Sequence, residues 1–236
     1  MPDRKEEWKI YKNVFDQFTI ETLFRLITQG HFEGLVHQIE VGKESNVFVA
    51  RKGDEKVIVK IYRLESCNFN KMYDYIKSDP RVRVKKQRRK VIFSWVQREY
   101  RNLIKAREAM NVPTPITVMH NVLVMEHIGD SVPAPQLKDM PPKDPKDFLK
   151  RVISGMKKLA KVGLVHGDIS EYNILNYNER PYFIDFSQAT STQDPNSVEL
   201  LRRDVKNICR YWRRLGEDLD EEKTYKTIAS GLEPAH

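Results

Sequence analysis

Cysteine is scarce in this chain: two residues in 236, Cys67 and Cys209, far apart in sequence. Neither has a Cys or His beside it at the short spacing of a metal knuckle, so zinc ribbons and disulfide-stapled scaffolds are excluded. A reducing, cytoplasmic setting is the simplest expectation. Long apolar runs are missing too. The opening "MPDRKEEWKIYK" has no apolar export segment, and no window approaches the roughly 20 apolar residues of a membrane span. No membrane partner is expected, and internal repeats are absent. One stretch lacks acidic residues altogether: "RVRVKKQRRK" at 81–90 carries seven basic residues in ten, within a chain of net charge +8. Such an excess favours polyanionic partners. A solvated loop and a contact to nucleic-acid phosphate are the two readings of that run.

Against these absences stand 40% apolar residues, enough for a full hydrophobic core in one or two domains. "EEWKIYKNVFDQF" and "TIETLFRLITQG" read as two amphipathic helices, the second opened by Thr19 as N-cap and closed by Gly30. Residues 1–30 thus form a small helical cap. "LVHQIEV", "NVFVAR" and "EKVIVKIYR" read as an antiparallel meander, separated by the turn-like "GKES" and "KGDE". An irregular basic insertion over 64–93, a helix at roughly 94–110 and the strands "ITVM" and "NVLVMEHI" complete a first lobe over 31–130. The proline-rich "GDSVPAPQLKDMPPKDP" is the expected linker, because proline cannot extend a helix interior. A mostly helical second lobe over 131–236 follows. Its first helix lies between Asp144–Pro145 and Gly163, and its last long one puts Val198, Leu201, Val205, Ile208 and Trp212 on an inward face. The expected class is α+β with two lobes.

The chemistry sits in two short stretches. "VHGDISEYNIL" at 165–175 places Asp168 and Asn173 five residues apart in a polar loop, and "YFIDFS" at 182–187 hangs Asp185 off an apolar strand. A base-like carboxylate beside two oxygen ligands for a hard cation suits phosphoryl transfer. Ordinary turn residues are the plain alternative. Lys60 in "VIVKIYR" shares a strand face with Ile58 and Tyr62, where a lysine must find a partner or lose its charge. Glu99 stands in the stripe Trp95, Glu99, Leu103, and no basic residue lies three or four positions from it. A Lys60–Glu99 pair would hold the lysine over a nucleotide's phosphates; a surface lysine and a surface glutamate are the alternative. Gly42, Lys43 and Ser45 in "EVGKES" offer backbone and hydroxyl contacts to phosphate, or simply form a turn.

The ordered set of the Gly42 loop, Lys60, Glu99, the hinge-like "MEHI", "HGDISEYN" and "IDFSQ" resembles the RIO family of atypical serine protein kinases. "GKESNVF", "NKMYDYIKSDPR" and "HGDISEYNIL" are most similar to its archaeal type-one branch, and the likeness runs over nearly the whole chain. The resemblance implies a protein-kinase-like fold: an ATP-binding antiparallel sheet with one main helix, a trimmed helical second lobe and extra N-terminal helices. It also implies ATP with Mg2+ or Mn2+. Asp168 would orient or deprotonate the acceptor hydroxyl, and Asn173 and Asp185 would bind the metal. Lys60 would contact the phosphates, with Glu99 holding it. Gly42, Lys43, Ser45 and Asn46 would line the phosphate loop, and the backbone of Glu126 and Ile128, behind Met125, would meet the adenine edge. Asp185 would carry a transient acyl phosphate, and Asp204 would brace the catalytic loop. The implied setting is maturation of the small ribosomal subunit, whose rRNA and proteins would be met through the run 81–90.

Departures from ordinary protein kinases narrow the expectation. The phosphate loop has one glycine where the usual pattern has three. Gly167 stands where an arginine normally reads an activation-loop phosphate, "DFS" replaces "DFG", and the 51 residues after Asp185 contain no "APE". Control by loop phosphorylation and binding of an extended peptide are therefore not expected. Three activities follow. One is a serine kinase acting on itself or on a ribosomal protein; another is an ATPase switch working through Asp185. The third is a small-molecule phosphotransferase of the aminoglycoside or choline type, which shares "HGDxxxxN" but gathers acidic residues for cationic substrates. A dead kinase serving as an RNA-binding module would need a lost ligand, and none is missing.

Overall fold

The computed structural model describes residues 14–65, 67–81 and 85–232. Of the first expected helix, "EEWKIYKNVFDQF", residues 6–13 lie outside them, and its last two residues begin the helix Gln17–Thr28. The chain divides into two units, Met1–Asn68 with Pro115–Glu126, and Phe69–Thr114 with His127–His236.

The first unit is a sheet with a helix on one face. Strands β1 (Gly34–Val41), β2 (Ser45–Lys52), β3 (Glu55–Tyr62), β4 (Pro115–Met119) and β5 (Val122–Glu126) run in the order β1-β2-β3-β5-β4, all neighbours antiparallel. Val57, Val59 and Ile61 of β3 join Leu23 and Leu26 of helix α1 (Gln17–Thr28) in one core. Strand alternation therefore sends Ile58, Lys60 and Tyr62 to the opposite face. The helix start differs from expectation: Asp16 is the N-cap, and its carboxylate accepts the Thr19 N–H at 3.0 Å and the Thr19 hydroxyl at 2.8 Å. A carboxylate outranks a threonine hydroxyl as a cap. Thr19 instead receives a bond from Asn121, a buried side chain in the β4–β5 turn that also donates to the Tyr62 carbonyl. Gly30, at φ +76°, ends the helix as expected.

The second unit is mostly helical. It comprises α2 (Phe69–Ser78), α3 (Arg88–Ala106), α4 (Pro145–Lys161), α5 (Ser197–Arg214) and α6 (Glu221–Ala229). Two small antiparallel ribbons lie among them, β6 (Leu164–Val165) with β9 (Thr190–Ser191), and β7 (Ile174–Tyr177) with β8 (Arg180–Phe183). Asp144 caps α4 by accepting the Asp147 N–H, with Pro145 in the first turn. The insertion 64–93 is not irregular throughout. Met72 and Ile76, four residues apart and both buried, drive α2, and α3 takes Arg88, Arg89 and Lys90 into its first turn because Val91 and Ile92 are already core residues. That helix, which carries Glu99, groups with this unit. The proline-rich stretch is packed: Leu137 is buried, its N–H donates to the Ile174 carbonyl, and its own carbonyl accepts from Tyr211. On α5 the inward stripe holds at Leu201, Val205, Ile208 and Trp212, whereas Val198 in the first turn is exposed and Leu200 is buried instead. Helix α6 was not expected; Asp220 caps it by accepting the Lys223 N–H. Among the described residues no helix is long and apolar enough to cross a membrane.

Candidate active site

The loop 166–173 leaves β6 and returns as β7, and the segment after β8 brings Asp185 beside it. A central carboxylate fixes the first loop. Asp204, fully buried on α5, accepts the Gly167 and Ile169 N–H groups, one on each oxygen, both at 2.8 Å. These two amides flank Asp168, so its backbone is clamped from both sides. Burial pushes the Asp204 carboxyl up to about 7, against the pull of the two amide donors. Gly167 is required here: its φ is +79°, and a Cβ would come 3.3 Å from the Gln188 carbonyl.

Asp168 is held by two amides. Asn173 Nδ2 donates to its carbonyl at 2.8 Å and lies 3.3 Å from its Oδ2, and Gln188 Nε2 donates to the same Oδ2 at 3.0 Å. Arg203 on α5 donates to the Gly167 carbonyl and to Gln188 Oε1. An arginine from a later helix thus lies beside the loop 166–173, where sequence showed only a glycine. Burial, with Asp185 adding to it, raises the Asp168 carboxyl to about 6; Arg203, Lys71 and Asn173 oppose the rise.

Asp185 has φ +60°, a left-handed conformation for a non-glycine residue, and its Oδ1 lies 3.3 Å from the Ser187 N–H. The donor set fits a hard cation. Asn173 spends its amide hydrogens on Asp168, which leaves Oδ1 as its ligand atom, and the like charge by which Asp185 raises the proton affinity of Asp168 is what a dication relieves. Among the described residues no three His, Cys, Asp or Glu form a closed cage. Magnesium is held in such open sites, by one or two carboxylates plus substrate phosphates and water.

The other expected residues divide between the units. In the first, Lys60 is buried between Val47 and Leu123 on the neighbouring strands, its Nζ 5.2 Å from the centre of the Tyr62 ring. The Gly42 N–H is spent inside the β1–β2 turn on the Ser45 carbonyl at 2.9 Å, and that close approach is what bars a side chain at Gly42. Ser45 and Asn46 are buried, with Asn46 Oδ1 accepting from Arg63, and Lys43 is exposed. Met125 is buried opposite Ile58, and Glu126 ends β5 opposite Val57. In the second unit, Glu99 is buried within the stripe Trp95, Glu99, Leu103, and the Ile128 carbonyl accepts the Ala134 N–H. Gln188 and Arg203 were not foreseen as site residues. Gln188 lay inside the quoted "IDFSQ", but nothing in its spacing announces a bond to Asp168, and Arg203 carries no sequence signal beyond preceding Asp204.

A model of the RIO domain matches residues 46–225 of this chain. The chain belongs to the RIO family. Two relatives named RIO-type serine/threonine-protein kinase Rio1 place it with the archaeal members of that family. The protein of Methanocaldococcus jannaschii is 44% identical over 94% of this chain and 78% of its own length, and that of Haloferax volcanii is 37% identical over the same shares. The Rio1 kinase of Saccharomyces cerevisiae is 30% identical over 90% of this RIO chain and 51% of its own length. Among solved structures, the Rio2 kinase of Chaetomium thermophilum, in its complex described as ADP/Mg2+-phosphoaspartate, has a TM-score of 0.69 at 24% identity. It covers 91% of this chain and 69% of the other. The RIO chain therefore shares the kinase-like α+β fold.

Proposed function

We propose that this chain transfers the γ-phosphoryl group of ATP, with Mg2+ or Mn2+ as the resident cation. The observation that carries the reading is the placement of Asp168, Asn173 and Asp185 on adjoining loops, with Asp168 oriented by two amide donors and the loop clamped by Asp204. Asn173 Oδ1 and Asp185 hold the cation, which neutralises charge on the phosphates. Lys60 contacts the phosphates from the first unit, which also supplies Lys43, Ser45 and Asn46 for the phosphate loop and Gly42 for its turn. The backbone of Glu126 and Ile128 takes the adenine edge behind Met125. Asp168 accepts the proton of the attacking hydroxyl as its oxygen bonds to the γ-phosphorus and ADP leaves.

A second route has its own support: the Rio2 structure is described with a phosphoaspartate. In that route an Asp185 oxygen bonds to the γ-phosphorus, ADP departs, and water later releases phosphate from the acyl phosphate. The exposed cations Lys85, Lys86, Arg88, Arg89 and Lys90 suit rRNA of a small-subunit precursor, and the cytoplasm is the compartment this requires. Arg81 does not join them, because Asp79 grips its guanidinium at 2.6 and 2.8 Å. Single-turnover reaction with γ-labelled ATP, with and without small-subunit particles, separates the routes. Label on serine that survives hydroxylamine means a protein kinase. Free phosphate stimulated by particles, with protein label lost to hydroxylamine, means an ATPase switch. Label passing only to small cationic alcohols would mean a small-molecule phosphotransferase and end both.

A further inference from the structure

Asn102 lies on α3 one turn after Glu99 and is fully buried, with the hydrogen-bonding groups of its side chain engaged. Its Nδ2 donates to the Phe186 carbonyl at 3.1 Å and the Ala189 carbonyl at 2.7 Å, and its Oδ1 accepts from Arg81 at 3.1 Å. Arg81 is fixed in turn by Asp79, a buried carboxylate that also faces the buried Arg98 at 2.9 Å. The same segment is fastened a second time. Asp194 accepts from the Ser78 hydroxyl at 3.0 Å, the Thr190 hydroxyl at 2.8 Å and the Asn196 N–H at 2.9 Å. Residues 78–81, together with α3, therefore hold the stretch after Asp185 at both of its ends.

The need for such a hold is local. Asp185 stands at φ +60°, which a non-glycine residue keeps only where its surroundings over-determine it. Asn102 reaches the carbonyl immediately after Asp185 and a second one three residues further on, and no other side-chain type of this size offers two donors and an acceptor together. Aspartate would set an acceptor against two carbonyls, and leucine would leave both buried without a donor.

We propose that Asn102 is a positioning residue for Asp185: it fixes the backbone of the metal loop so that the carboxylate meets the cation on the nucleotide. The proposal rests on the reading of Asp185 as a metal ligand. It gives residues 78–81 a task in phosphoryl transfer, separate from the RNA contact proposed for the basic residues that follow them.

The test is equilibrium binding of ADP by calorimetry, in EDTA and across a Mg2+ titration, for the parent chain and for Asn102→Leu, Asn102→Asp and Arg81→Met. Supporting partners of a metal site are worth about tenfold to a hundredfold in metal affinity. Half-saturating Mg2+ is expected to rise by about that factor in both Asn102 variants and by less in Arg81→Met, with ADP affinity in EDTA unchanged. A parental Mg2+ dependence in the variants, or equal losses with and without metal, would assign Asn102 to the core alone and overturn the proposal. If the Asn102 variants do not fold, Arg81→Met decides it, since that side chain is partly exposed and, among the described residues, its hydrogen bonds go to Asp79 and Asn102 and not to the loop itself. A parent chain whose ADP binding ignores Mg2+ would remove the Asp185 reading itself and the proposal with it.

Discussion

Asp168 offers the sharpest quantitative test of the site. Its carboxyl is raised to about 6, first by burial and then by Asp185. The proposed proton acceptor works only when ionised, so the free-enzyme profile of kcat/KM should rise with pH through about 6. At pH 5 about nine-tenths of the carboxyl is protonated, and each further unit of acid costs about tenfold in rate. Two neighbours push in opposite directions, which makes the cause separable from the value. Asp185→Asn removes a like charge and should lower the Asp168 titration; Arg203→Met removes a cation and should raise it. The titrations are followed by NMR of the Asp168 carboxyl carbon in the metal-free chain, because Asp185→Asn also loses a metal ligand and its turnover cannot report the shift. Metal bound at Asp185 should lower the titration further, so the profile measured with Mg2+ lies on the acid side of the metal-free one. An Asp168 that titrates near 4 without metal, unmoved by Asp185→Asn, would refute the argument. Stability follows by linkage: the folded chain holds this proton more tightly than the unfolded one. The contribution of Asp168 is full below about pH 4 and is lost as pH rises through about 6.

Other perturbations test other parts of the site. Asp204→Ala strips two flanking amides of a buried acceptor and should cost about 3 kcal/mol in denaturant unfolding. By displacing Asp168 it should also cost about a hundredfold in turnover with nucleotide affinity retained; a parental turnover would show that the clamp is dispensable. Asp168→Asn should lower the rate by about a hundredfold to ten-thousandfold and leave ADP–Mg2+ binding near the parental value, whereas Asp185→Ala should weaken both. Equal losses in the two would undo the division between base and ligand. Neutralising Lys85, Lys86, Arg88, Arg89 and Lys90 should flatten the salt dependence of RNA binding by about 0.7 to 0.9 log units per lost phosphate contact. An unchanged slope would return those cations to solvent.

What the amino-acid order discloses here depends on the range of the interaction. The strands were legible because Val57, Val59 and Ile61 alternate with Lys60 at period two, and α4 because Asp144–Pro145 and Gly163 punctuate it. Those signals lie within a few residues of the structure they dictate. The cap at Asp16 was a near miss of the same kind, two plausible residues three positions apart, decided by a carboxylate accepting both the amide and the hydroxyl of its rival. The grouping of Asp168, Asn173 and Asp185 could be read from spacing because one loop and one strand end carry all three.

The supporting bonds were illegible for the opposite reason. Arg203 reaches Gly167 across 36 positions, Gln188 reaches Asp168 across 20, and Asn102 reaches Phe186 across 84. No local period encodes such partners, and each residue type taken alone is ordinary. Arg203 shows what this hides. Gly167 stands where an arginine would read an activation-loop phosphate, yet α5 places the Arg203 guanidinium on the Gly167 carbonyl and on the glutamine that donates to Asp168. Its charge also restrains the rise that burial imposes on Asp168. A guanidinium thus reaches this loop from α5, one residue before the Asp204 that clamps it. Because both groups ride on one turn of α5, any displacement of that turn would shift the clamp, the cation and the base together. Arg203→Lys tests that coupling. A lysine keeps the charge but not the fork that reaches Gly167 and Gln188 at once, so the titration of Asp168 should stay near the parental value while turnover falls. Turnover that instead follows the charge alone would show that the fork positions nothing.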